Sequence, residues 1–237
     1  MADGSTGGRA ATRILRAGAG LAGHALGALF GAVGQVRRDR ALHPRGATYA
    51  ALATMHGGSA SGVPWLDTAG TTRVVVRVSR ATGLPSPWPD VHGIAIHVPA
   101  EVLSRRDGAD LLFASTGDSG LGRFRLAARR EAAGGPLTTL LPMRTGAGPM
   151  LFRLRPVEGP ATSAAGLVGA RYQLSYAVGT RPWTVVGEIQ VGAPEGEQVD
   201  RRRHDPVLHT LPGTEQYPVV AALREPAYRA ARRVPAS

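Results

Sequence analysis

His43 belongs to a stretch whose residue types could carry acid–base chemistry. The segment RALHPRG, residues 40–46, has Arg40 and Arg45 within three residues of this histidine. A neutral imidazole can take up and return a proton near neutral pH, and guanidinium groups can hold an anion beside it. A capped turn in a basic protein would use the same residues. An acid–base site is therefore indicated only if other segments supply further residues for the same chemistry.

A second pair of candidate residues, Arg224 and Tyr228, lies near the C-terminus in the sequence REPAY. If this segment is helical, the i, i+4 spacing places both side chains on one face. A free tyrosine has a pKa of about 10, and a neighbouring positive charge favours its phenolate form. The alternative interpretation is an amphipathic terminal helix whose tyrosine packs on the core.

Several enzyme classes lack their motifs in this chain. The absence of cysteine excludes disulfides, thiolate nucleophiles and cysteine-ligated metals. Ser119 in GDSGLG lacks the spacing of a nucleophile elbow, HDP at 204–206 is typical of a turn, and neither HExxH nor GxxxxGK[ST] occurs. A phosphodiester hydrolase could bind its anion through arginines, but without a recognisable metal or nucleophile set it is the least favoured function.

The chain is strongly basic, since 28 Lys and Arg residues against 17 Asp and Glu residues give a formal charge of +11. The arginines are dispersed and only 5% of the residues are aromatic, too few for an evident base-stacking platform. We therefore predict no nucleic-acid partner. The charge remains compatible with a small anionic ligand or an anionic membrane surface.

Residues 1–36 differ in composition from the rest of the chain. A flexible start precedes an apolar Gly/Ala-rich arm, residues 12–36, which we expect to be mostly helical. Its glycines weigh against a transmembrane span, so we predict that the arm packs on the domain or contacts a membrane peripherally. Residues 37–237 form one domain with room for a core around a ligand. The expected location is cytoplasmic, with membrane association left open.

From about residue 70, short apolar runs separated by Gly and Pro predict β-strands. The predicted strands are TRVVVRVS (72–79), GIAIHVP (93–99), DLLFAST (110–116), GRFRLAA (122–128), PMLFRLRP (149–156), YQLSYAV (172–178) and TVVGEIQV (184–191). Their spacing favours a mainly β core, a sandwich or a barrel, over alternating βαβ units. Residues 218–234 return to a helix-forming composition, in which Pro226 begins or kinks the helix.

Six segments, in the same order along the chain, resemble the haem-binding core of the catalase family. They are RALHPRG, VRVS, PDVHGIAI, ADLL, HDPVLHTLPG and REPAY, and they span residues 40 to about 116 and 204 to 233. The resemblance implies a mainly β (α+β) fold, a catalase-like antiparallel β-barrel with an N-terminal helical arm and a C-terminal helix. It also implies haem b as cofactor and hydrogen peroxide or organic hydroperoxides as substrates.

The same resemblance assigns roles to individual residues. Tyr228 would be the proximal ligand of the haem iron, with Arg224 as its charge partner. His43 would be the distal acid–base group, and Ser79 would hydrogen-bond it and fix its tautomer. Propionate groups would pair with two arginines, Arg40 and Arg77.

One departure from the family pattern bears on activity. Catalases follow W-D-L-V with an asparagine that helps to position peroxide, whereas this chain has Ala114 at that position, followed by Ser115. The expected activity is therefore slow peroxidase-type turnover rather than efficient disproportionation of hydrogen peroxide. The alternative is a non-redox barrel that holds an apolar ligand or no ligand and docks at a membrane surface. Homo-oligomerisation is left open.

Overall fold

A computed structural model describes residues 46–81, 87–157, 167–195 and 204–222 of the chain. His43, Arg40, Arg224 and Tyr228, together with the arm at 12–36, lie outside these described residues. Within them the protein is mainly β. Its strands are β1 (Gly46–Met55), β2 (Gly70–Arg80), β3 (His92–Val98), β4 (Ala109–Ser115), β5 (Leu137–Thr138), β6 (Met143–Thr145), β7 (Gly148–Pro156), β8 (Arg171–Val178), β9 (Thr184–Pro194) and β10 (Glu215–Gln216).

The sheet closes into an eight-stranded antiparallel barrel. Its strands follow the order β7, β5, β4, β3, β2, β1, β9 and β8, and β8 pairs again with β7 to complete the ring. β6 and β10 extend from β7 outside the ring. A register shift between Leu174 and Ser175 marks a bulge in the pairing of β8 with β9, a device that helps a sheet to curve. The mainly β fold predicted from the strand pattern is thus confirmed, and of the two architectures that the pattern left open it is the barrel, as the resemblance to catalases implies.

Alternation along each strand separates a buried inner face from an outer face. In β2, Val74 and Val76 are almost completely buried, while Arg73 and Arg77 of the same strand face outward. The period-two repeat of TRVVVRVS therefore places valines in the core. The inward residues of the other strands complete this core: Tyr49, Ala51, Ala53, Ile94, Ile96, Val98, Leu111, Phe113, Phe152, Leu154, Leu174, Ile189 and Val191.

Helical structure is limited in the described part of the chain. It comprises a short helix, α1 (Pro64–Asp67), a 3₁₀ helix (Gly120–Phe124) and residues 218–222. The last of these lies within residues 218–234, the segment of helix-forming composition, whose remainder lies outside the described residues. None of the helices in the described ranges is long and apolar enough to cross a membrane.

One strand prediction is wrong, and four strands, β1 and the short β5, β6 and β10, were not predicted. GRFRLAA does not form a strand, because residues 120–124 adopt the 3₁₀ helix and residue 126 makes only an isolated bridge to Thr116. β1 was not predicted, since its sequence GATYAALATM is rich in alanine and poor in β-branched residues. It nevertheless pairs with β2 on one side and β9 on the other, and this pairing outweighs the weak local preference.

Candidate functional site

Four neighbouring strands present a row of small residues on the outer face of the barrel. Gly46 of β1 pairs with Ser79 of β2, Ser79 with Gly93 of β3, and Gly93 with Ala114 of β4. All four face away from the core, since they alternate with inward residues on their strands. We call them the small-residue row. At about 4.8 Å per strand, the row is roughly 14 Å long.

The two glycines of the row make room for the polar side chains beside them. A Cβ atom built on Gly93 would lie 2.8 Å from Oγ of Ser79, and one built on Gly46 would lie 2.6 Å from Cζ of Arg77. Any larger residue would displace these groups. The glycines therefore keep the strip flat and let a hydroxyl and a guanidinium lie along it.

Arg77 brings positive charge to this surface. It lies two residues before Ser79 on the same face of β2, and its guanidinium extends to the backbone of Gly46. Its cross-strand partners are Thr48 and Ala95. Ser79 and Arg77 are both half-buried, so the strip is only partly covered by the described residues. The result is a strip of small residues with the Ser79 hydroxyl and the Arg77 guanidinium along it, suited to a planar anionic group.

Ser115 does not belong to this surface. It is fully buried, and its Oγ donates to the carbonyl of Ala127 at 2.6 Å and accepts from the backbone N–H of His92 at 3.1 Å. Because successive residues of a strand point to opposite faces, Ser115 cannot replace the amide that catalases carry at the position of Ala114. The fourth position of the row is therefore apolar.

Of the residues predicted from the sequence, the structure brings Ser79 and Arg77 together on one face. The other four, Arg40, His43, Arg224 and Tyr228, lie outside the described residues, and their roles stay predictions. His92 and His97 point to opposite faces of β3, because His97 lies on the outer face with Gly93, whereas His92 lies on the same face as the core residues Ile94 and Ile96.

Sequence analysis missed a group of four residues that the fold assembles. Asp110, 1% exposed, accepts hydrogen bonds from the Nδ1 atoms of His97 at 2.8 Å, His204 at 3.2 Å and His209 at 3.0 Å, and from the backbone N–H of Asp205 at 2.8 Å. We call the three histidines and Asp110 the His–Asp cluster. HDP at 204–206 does form a turn, as predicted, but its histidine also reaches β4.

The electrostatics of the His–Asp cluster keep its carboxyl group ionised. Burial by itself raises the pKa of Asp110, but hydrogen bonds from His204 and His97, the charge of His204 and the N–H of Asp205 outweigh it. The pKa of Asp110 is held well below its ordinary value. Only the spacing of HDPVLH hints at this cluster in the sequence, since His97 and Asp110 meet through strand pairing.

The barrel resembles those of solved catalases. The crystal structure of a fungal catalase matches with a TM-score of 0.58 and 14% sequence identity, over 81% of this chain and 58% of that one. The structure of a bacterial catalase matches with a TM-score of 0.55 and 13% identity, over 82% of this chain and 56% of that one. The fold is catalase-like.

The likeness to catalases is one of fold. This chain matches less than two thirds of the length of either catalase. No protein-family model and no curated protein sequence matches the chain. The sequence motifs resemble those of catalases, and the backbone separately resembles the catalase fold.

Proposed function

We propose that this protein is a haem-dependent, peroxidase-type oxidoreductase that acts on hydrogen peroxide or organic hydroperoxides. The observation that carries the proposal is the small-residue row with Arg77 beside it, on a barrel of catalase-like fold. A cytoplasmic location, peripheral membrane contact through residues 12–36 and homo-oligomerisation stay predictions.

The residues of the outer face fit haem b as a planar, dianionic group. The two glycines, Ser79 and Ala114 leave a strip without bulky side chains, against which a flat macrocycle can pack. Arg77 supplies a guanidinium for one propionate, and we assign Arg40 to the other. Haem, when bound, supplies a redox-active iron.

His43 is the proposed acid–base group. It precedes Gly46 by three residues, a span of at most about 11 Å, and Gly46 is paired directly with Ser79. A separation this short is compatible with contact between the imidazole and the Ser79 hydroxyl, to which we assign the fixing of its tautomer. A neutral imidazole held in this way can carry a proton from one peroxide oxygen to the other.

Tyr228 is the proposed ligand of the haem iron, with Arg224 as its charge partner. A phenolate binds ferric iron, and a guanidinium four residues earlier in the chain would favour the phenolate over the phenol if the segment is helical. Because a tyrosine phenolate is a known axial ligand in haem enzymes, the motif REPAY supports the assignment.

Ala114, at the end of the small-residue row, determines whether we expect peroxidase-type turnover or efficient disproportionation of hydrogen peroxide. Ala114 offers no amide to orient peroxide, and Ser115 is engaged with Ala127 on the opposite face. Slow peroxidase-type turnover is therefore expected in place of efficient disproportionation. The same observation favours the second candidate function, a barrel that binds a planar or apolar ligand without redox chemistry.

Replacement of His43 tests the proposal against that second candidate. We expect His43→Ala to lower the peroxidase rate constant by about 100-fold or more at equal haem content, since general acid–base groups contribute about that much. The control is His56→Ala, an exposed histidine at the far end of β1. Equal rates in both variants and the unmodified protein, at equal haem content, would exclude the proposed mechanism.

A further inference from the structure

The His–Asp cluster lies on the same outer face as the small-residue row but at a separate place. His97 follows Gly93 by four residues on β3, which corresponds to roughly 13 Å along the strand. The side chains of His97 and His204 are 11% and 8% exposed, and that of Asp110 is 1% exposed. We propose that His97, Asp110 and His204 bind a divalent transition-metal ion such as Zn²⁺, with His209 beside them.

Strand pairing and a later segment bring the proposed ligands together. His97 and Asp110 are direct cross-strand partners on the outer face of β3 and β4. The segment at 204–210 is fastened to β4 by its own backbone, because the N–H of Asp205 donates to Asp110 and the carbonyl of His209 accepts from the N–H of Asp110 at 2.8 Å. Three separate parts of the chain thus converge on one carboxylate.

The chemistry of the converging atoms matches a metal site. One ligand atom from each of His97, Asp110 and His204 lies within 4.8 Å of the others. The imidazole–carboxylate separations of 2.8 and 3.2 Å are close to the edge, about 3.3 Å, of a tetrahedron of N and O ligands around zinc. Two imidazoles and a carboxylate form a ligand set that zinc and related divalent ions prefer.

The ring of His97 is oriented for this role. Its Nε2 edge lies against the backbone at Gly108, where a Cβ atom would be only 2.7 Å away. Nδ1 is therefore the ring nitrogen that faces Asp110. In the metal-free protein Nδ1–H donates to the carboxylate, and in the metal-bound protein the proton moves to Nε2 so that Nδ1 binds the ion.

We assign the ion a structural role. A catalytic metal keeps an open position for substrate, whereas a structural ion has four protein ligands; His97, Asp110 and His204 supply three, and His209, whose Nδ1 lies 3.0 Å from Asp110, is assigned as the fourth. Such an ion would cross-link β3, β4 and the segment at 204–210, and so hold the C-terminal part of the chain on the barrel. The inference depends on neither haem nor peroxide.

Metal titration of the full chain, prepared without a histidine tag and dialysed against EDTA, tests the site. We expect binding of Zn²⁺ at a ratio of about one per chain. At a hundredfold excess over the dissociation constant, the melting temperature should rise by roughly 5–10 °C. Co²⁺ should give the visible absorption of a low-coordinate N/O site, which Zn²⁺ then abolishes.

Two variants separate this site from adventitious binding. His204→Gln should weaken Zn²⁺ binding by about 100-fold or more, because even outer-shell changes cost 10–100-fold. The control His56→Gln, at an exposed histidine, should leave binding unchanged. The proposal fails if the folded, unmodified protein binds no Zn²⁺ or shows no Co²⁺ absorption. This test does not require His204→Gln to fold. Equal affinity in folded His204→Gln would also overturn it.

Discussion

Ser79 of β2 and Gly93 of β3 are direct cross-strand partners, and the glycine leaves the space that the serine hydroxyl occupies. A methyl group at position 93 would lie 2.8 Å from Oγ of Ser79, closer than carbon and oxygen can approach without a shift. Gly93 is therefore needed for the space it leaves and not for an unusual backbone conformation. That space lets Ser79 take the position from which we propose that it orients His43.

Gly93→Ala should therefore impair function without unfolding the protein. We expect the added methyl group to rotate the Ser79 hydroxyl away and to lower the peroxidase rate by about 10-fold, the effect of losing a group that orients an imidazole. The control is Gly146→Ala, a glycine with open space around its Cβ position. The rates are measured by steady-state kinetics at equal haem content. Equal rates in both variants would show that Ser79 does not take part in the mechanism.

Arg77 should contribute to haem binding through its charge. Arg77→Met keeps much of the side-chain length but removes the guanidinium, so we expect the haem dissociation constant to rise by about 10-fold or more. Arg73→Met is a matched control, since Arg73 lies on the same face of β2, four residues away. Haem titration followed by absorbance compares the two variants. A similar loss in both would indicate a general effect of positive charge.

Asp110 should be a major determinant of stability. Asp110→Asn removes the buried charge on which His97, His204 and the N–H of Asp205 converge. We expect a loss of about 2–4 kcal/mol in the free energy of unfolding, measured with denaturant in the presence of EDTA. Asp107→Asn, an exposed carboxylate nearby, should change it by less than about 0.5 kcal/mol. Comparable values for the two variants would contradict this assignment.

His92 should make stability depend on pH in the mildly acidic range. Burial lowers the pKa of His92, the hydrogen bond to the carbonyl of Arg129 partly opposes this, and the charge of Arg80 lowers it further. A lowered pKa means that the unfolded chain takes up the proton first as pH falls. Stability is therefore lost as pH falls below the ordinary histidine value of about 6.5.

Denaturation midpoints at pH 7 and pH 5.5 test this effect. The unmodified protein should lose stability between the two values, and His92→Gln, whose amide can still donate to the Arg129 carbonyl, should lose less. His56→Gln serves as the control because His56 is exposed. An equal loss in His92→Gln would show that another group titrates in this range.

Strong local patterns made most of the barrel predictable. β2 and β9 carry β-branched residues in alternation, and both were predicted within a few residues of their observed bounds. β1 was not predicted because its sequence is rich in alanine. It is extended because it pairs with β2 on one side and β9 on the other. GRFRLAA has the composition of a strand, but its first residues belong to the 3₁₀ helix and Leu126 makes only an isolated bridge to Thr116.

The site was predictable only in part. Ser79 and Arg77, two residues apart on a strand, necessarily share a face. The His–Asp cluster could not be predicted in the same way, since 13 residues separate His97 from Asp110 and His204 comes 94 residues after Asp110. Strand register decides that these side chains meet, and register depends on the whole sheet.

Haem titration of the unmodified protein and of Tyr228→Phe is the most direct test of the proposed function. We expect a sharp Soret band at about one haem per chain, with the ligand-to-iron absorption of a phenolate. In Tyr228→Phe that absorption should disappear and haem binding should weaken. An unmodified protein that acquires no Soret band, or a Tyr228→Phe variant with the same spectrum and stoichiometry, would contradict the proposed function.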